Sequence, residues 1–173
     1  MKRLKTFAVL VVLLALQVSI FAHLRPFGVS PDLLMVAALV GGIVGGGDYG
    51  ARNGFAAGLL LDLVVPGPFG LAAGVYATFG YTTGIFAQSV DSEDPRVLPT
   101  LMGLAGFLAT VVYGLALGVL GSEQFVEWRL VWVAIAVSFW AVVFTLPVRA
   151  AYGWAVTDAR SAPRTDATRS VVN

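Results

Sequence analysis

The stretch from Leu98 to Leu120 contains no charged residue, and neither does the stretch from Leu130 to Val148. A bilayer core takes about twenty apolar residues in helical form, at ~1.5 Å each, so either run is long enough to cross one. Four more apolar runs precede them: Thr6 to Leu24, Leu33 to Val44, Gly54 to Val65 and Phe69 to Gln88. Composition argues against a soluble globule. Of the 173 residues, 58% are hydrophobic and 12% charged, whereas a soluble domain carries about a quarter charged residues. A single small core has no room for that much apolar surface. The predicted fold is an all-α integral membrane protein with six transmembrane helices, at roughly 5–24, 31–47, 53–66, 69–88, 98–120 and 130–149. Residues 1–158 form one domain. Residues 159–173, rich in small and polar side chains with scattered arginines, read as a disordered cytoplasmic tail.

The first run follows a basic start, Lys2-Arg3-Leu4-Lys5. It exceeds the ~7–15 apolar residues of a signal peptide core, and Ile20-Phe21-Ala22 is a poor cleavage site, so it reads as a retained span. With the N-terminus cytoplasmic, the inner segments hold Lys2, Arg3, Lys5, Arg52, Arg96, Arg149, Arg160, Arg164 and Arg169. Only Arg25 and Arg129 fall outside. That bias is the positive-inside pattern, and it places both termini in the cytoplasm. Trp128 and Trp132 at one face, with Tyr152 and Trp154 at the other, fit aromatic belts.

Several chemistries lack their residues. There is no cysteine and one histidine, His23, which reads as interfacial. A zinc or iron site needs more nitrogen or sulfur ligands than that. No serine stands near a plausible base, no paired carboxylates occur, and no phosphate loop lies between a strand and a helix. Nucleic acid would require a basic stripe, which is missing. The expectation is therefore no catalytic residue, no metal and no cofactor, with membrane lipid as the surroundings.

Attention falls on the segment from Arg52 to Gly84. Glycines recur at a spacing of four, at Gly42, Gly46, Gly50, Gly54 and Gly58, then in the pairs Gly70 and Gly74, and Gly80 and Gly84. Small residues one turn apart let helix backbones approach closely, a main source of packing energy in lipid. A close-packed core of spans two, three and four is expected. Spans two and three are short for a bilayer unless their helices extend into Gly45-Gly46-Gly47, and Asp48 to Asn53 reads as a tight polar turn. Ser30-Pro31-Asp32 suits the start of span two. Gln17 and Ser19 are expected to face another helix rather than lipid.

Asp62 is the acidic residue with apolar sequence close on both sides. It shares a helix face with Gly58, and a charge at the bilayer centre costs roughly 2.5–3.5 kcal/mol. One reading makes it an ion, proton or ligand site, in a possible polar site with Asp48 and Arg52. The favoured reading makes it a packing carboxylate bonded to the Pro66–Phe69 turn or to a partner. Asp48 and Arg52, four apart, suit a surface pair worth ~0–1 kcal/mol.

Gly54-Phe55-x-x-Gly58-Leu59-Leu60-x-Asp62, followed by Gly67, Gly70-Leu71 and Gly80-Tyr81-x-x-Gly84, resembles the MreD family of rod shape-determining membrane proteins. So does Pro31-Asp32-Leu33-Leu34 after a basic start and one span. The resemblance covers most of the chain up to Gly84. It implies a non-enzymatic scaffold of the cell-wall elongation machinery in the bacterial inner membrane. It also implies a single-span MreC-like partner, within a larger complex holding MreB, a RodA-type glycosyltransferase and a class B penicillin-binding protein. The family's fold is similar to that of the substrate-binding components of energy-coupling-factor transporters. That similarity supplies the alternative, a small-solute (vitamin-type) binding component. A membrane enzyme is the least supported reading.

Overall fold

The computed structural model describes residues 2–21, 31–89, 97–120 and 128–156. Helix α1 (Lys2–Leu16) runs into a π-helical turn (Gln17–Phe21). There follow α2 (Leu33–Gly45), α3 (Gly47–Asp62), α4 (Leu71–Ser89), α5 (Val97–Val119) and α6 (Trp128–Val156). The described residues are all helix, turn or short connection, with no strand among them. The predicted loops around His23, around Glu93 and before Trp128 lie outside the described residues, as does the 159–173 tail.

The six apolar runs correspond to six helices, with corrected ends. The largest correction concerns the residues between the second and third. Asp48 to Asn53 is not a turn but the first part of α3. The chain reverses within one residue, Gly46, at φ 84° and ψ 177°. Positive φ is easy only for glycine, so one residue does what six were expected to do. Gly46 N–H closes α2 onto Gly42 O, and Gly50 N–H opens α3 from Gly46 O. Asp48 in the first turn suits the positive end of α3. Even so lengthened, α3 is 16 residues and α2 is 13, or about 24 and 20 Å at 1.5 Å per residue. Helix α6 also outruns its predicted end, continuing through Pro147 to Val156.

Helix α2 is the axis of the bundle. Every residue from Leu33 to Gly42 is buried. A helix apolar on all sides has to be enclosed by protein or by lipid, and here the enclosing elements are helices α1, α3, α4, α5 and α6. Asp32 caps it, its carboxylate accepting from Met35 N–H at 3.0 Å. The cap is thus Asp32 itself, the last of the three residues expected to start this helix.

Helices α5 and α6 are different. Each carries a 23-residue stretch, Val97–Val119 and Leu130–Tyr152, whose most apolar 18 residues have mean hydropathy 1.9 and 2.2. Both are long enough to cross a bilayer. Only 33% of the most apolar 18-residue window in each is buried inside the protein, whereas the core helix of a soluble domain is mostly enclosed. Leu104, Leu108, Val112, Leu115 and Val119 make an exposed apolar strip along α5. Phe55, Phe86, Trp132, Phe139 and Leu146 are also exposed. Outward apolar surface on this scale is a liability in water and a requirement in lipid.

Candidate functional site

Helices α3 and α4 run antiparallel and touch backbone to backbone along a seam. A Cβ added at Gly50 would collide with Gly80 O and the Cα of Gly42. At Gly54 it would meet Tyr76 O, and at Gly58 the Ala72 carbonyl and Ala73 Cα. At Gly84 it would meet Gly46 and Gly47. Each step of four residues up α3 is thus matched by a step of four down α4. Helix α2 joins the seam through Gly42, which faces Gly80 O and Gly84 N, and through Ala38 O, which lies near Gly80. Three helices so approach with no side chain between them.

Gly54, Gly58, Gly80 and Gly84 therefore lie in the seam. Gly70 and Gly74 do not, because nothing stands within 4 Å of a Cβ at either. Gly70 has φ 92° and serves the turn into α4. Gly74 is on the exposed face of α4. The spacing of four is the same in both pairs, but Gly70 falls before α4 begins and the rotation of α4 turns Gly74 away from the seam.

Asp62 closes the seam at its far end. Its Oδ2 accepts from Gly70 N–H at 3.0 Å and Ala73 N–H at 3.1 Å, and its Oδ1 from Ala72 N–H at 3.2 Å. These are amides at the start of α4 that have no partner within the helix. The carboxylate of one helix thus caps the next, across the Pro66-Gly67-Pro68 break. Asp48 and Arg52 are elsewhere. They lie in the first part of α3 and Asp62 at its end, about 15 to 21 Å away by helical rise. The three do not form one polar site. Nor do Asp48 and Arg52 meet through their charges: Arg52 Nε donates to the Asp48 backbone carbonyl at 3.1 Å.

Two polar junctions were not anticipated from the sequence. Asn53 is 4% exposed. Its Nδ2 donates to Ala37 O of α2 at 2.9 Å, and its Oδ1 accepts from Tyr152 Oη of α6 at 3.0 Å. One carboxamide thereby ties α2, α3 and α6. At the start of α2, Tyr76 Oη of α4 donates to Asp32 Oδ2. Beside it, Leu34 N–H donates to Gln17 Oε1 at 3.2 Å, docking the π turn of α1 against α2. Gln17 therefore meets a neighbouring helix, whereas Ser19 is exposed. The available signal was tyrosine: a phenol within an apolar span needs a partner for its hydroxyl.

Replacing Tyr152 with Phe leaves Asn53 Oδ1 without its donor at a buried position. Interhelical hydrogen bonds of this kind contribute about 0.6–1.7 kcal/mol in membrane proteins. Tyr152→Phe is expected to lower the melting temperature in detergent by a corresponding few degrees, and an unchanged melting curve would mean the bond contributes nothing.

Chemically, the arrangement ties helices together rather than exposing reactive groups. The carboxylates of Asp32 and Asp62 are both engaged by backbone N–H groups of helix starts. Among the described residues, no three histidine, cysteine, aspartate or glutamate side chains come together as a metal site.

No curated protein and no solved structure matches the chain. The family model for the rod shape-determining protein MreD matches residues 1–153, nearly the whole chain. With the sequence motifs and the apolar helices that could cross a membrane, this makes the chain a member of the MreD family of rod shape-determining membrane proteins.

Proposed function

We propose that this chain is a non-enzymatic scaffold of the bacterial cell-wall elongation machinery, holding a single-span MreC-like protein in the inner membrane. On this reading all six helices span the bilayer, both termini are cytoplasmic, and residues 1–158 act as one domain. The helix arrangement is read as similar to that of the substrate-binding components of energy-coupling-factor transporters. A RodA-type glycosyltransferase, a class B penicillin-binding protein and MreB belong to the larger assembly.

The observation that carries this reading is the use made of the polar groups. Asp62, Asp32 and Asn53 are bonded to the protein's own helices, which makes a stiff body whose outer surface is the part left for interaction. The same bonds weigh against the vitamin-type alternative, since the carboxylates that would grip a solute already cap helices. Co-expression with an MreC-like protein and solubilisation in mild detergent tests the proposal. The two are expected to elute as one complex. Elution of the chain alone, with the partner present in the same membranes, would sink the scaffold reading.

A further inference from the structure

Helices α1 and α3 diverge around a cleft of about 350 Å³, lined by Thr6, Phe7 and Leu10 on one side and Tyr49, Arg52, Asn53 and Ala56 on the other. Its size falls within the ~300–1,000 Å³ of small-ligand sites. The lining is graded. At one end Thr6 Oγ1 and Tyr49 Oη are hydrogen-bonded at 2.8 Å, beside the exposed Arg52. One turn further along both helices the walls are Leu10 and Ala56.

Arg52 uses its Nε on the Asp48 carbonyl. A guanidinium carries five N–H donors in a planar fork, so the outer edge is left for the cleft. Asn53 turns one amide N–H to Ala37 and has a second. A cationic mouth leading to an apolar channel complements an anion that carries a hydrocarbon chain.

We propose that the α1–α3 cleft binds an anionic phospholipid of the cytoplasmic leaflet, with its phosphate at Arg52, Tyr49 and Thr6 and an acyl chain along Phe7, Leu10 and Ala56. Basic clefts between membrane helices on the cytoplasmic side are suited to anionic head groups. The site goes beyond the scaffold role. Only its assignment to the cytoplasmic leaflet rests on the proposed topology, and partner binding is measured separately by co-elution.

The test is native mass spectrometry of the full chain in mild detergent, titrated with phosphatidylglycerol, with phosphatidylcholine of the same chains, or with inorganic phosphate. Phosphatidylglycerol is expected to bind about five-fold more than phosphatidylcholine, the factor one basic side chain supplies at an anionic surface. Arg52→Gln should remove that preference. Arg149→Gln, which deletes an exposed charge of α6 outside the cleft, should keep it. Ala56→Leu, which fills the apolar end, should cut phosphatidylglycerol binding while leaving Arg52 in place, and it carries the test if Arg52→Gln does not fold. Equal binding of both lipids, an equal loss in Arg149→Gln, full binding in Ala56→Leu, or binding of inorganic phosphate with no lipid preference would each overturn the proposal.

Discussion

Gly58→Leu is expected to abolish the folded protein, whereas Gly74→Leu, sixteen positions on, is expected to be harmless. Both are glycines in helices that read as membrane spans, and both belong to a pair spaced by four. The difference is what a side chain would meet. At Gly58 the first added carbon already lies against the Ala72 carbonyl and Ala73 Cα. Backbone of a packed helix cannot swing aside as a side chain does, so α3 and α4 would have to separate. Overpacking a core costs about 1–3 kcal/mol where side chains yield, and more is expected where they cannot. The seam also includes Gly50, Gly54, Gly80 and Gly84, so a displaced α3 loses those contacts too. At Gly74 nothing stands within 4 Å, and leucine is a better helix former than glycine by roughly 0.8 kcal/mol. Gel filtration and a melting curve in detergent check the pair. A monodisperse Gly58→Leu variant with the parent's melting temperature would mean that α3 and α4 are not in backbone contact.

How much of this could be read from the chain alone depends on which feature is asked about. The apolar runs announced all six helices, because length and lack of charge are local properties. The glycine spacing announced that spans two, three and four pack closely, but not which glycines do so. Gly74 and Gly80 are equivalent in sequence terms, and only the rotation of α4 buries one and exposes the other. The reversal at Gly46 was misplaced for a similar reason. Asp48, Arg52 and Asn53 are polar enough to suggest a turn, yet Asn53 is spent on Ala37 and Tyr152, a partner 99 residues away. Asp32 was legible as a helix-start residue. Its second partner, Tyr76, was not, since that pairing depends on α2 and α4 crossing. Sequence thus reveals the demand for a polar partner, and the packing decides who meets it.

Asp62→Ala is expected to cost about 1–2 kcal/mol of stability, seen as a lower melting temperature and as faster hydrogen exchange at the start of α4. Three amides, Gly70, Ala72 and Ala73, donate to this carboxylate. Loss of an N-terminal cap costs about 0.5–2 kcal/mol, and bonds to a charged acceptor contribute toward the upper end. The side chain is partly exposed, so water replaces some of what is lost and keeps the figure from rising further. Asp62→Asn retains one oxygen acceptor and gives up the charge, so about half the loss is expected. Those graded effects separate the two uses of a carboxylate in an apolar segment. As the cap of α4, Asp62 acts on stability, and partner co-elution should decline only as far as the fold does. As a solute or ion site, it would leave melting unchanged in Asp62→Asn while a ligand-dependent rise in melting temperature disappeared. Finding that second pattern would transfer Asp62 from the architecture of the α3–α4 corner to a binding site and would favour the transporter reading.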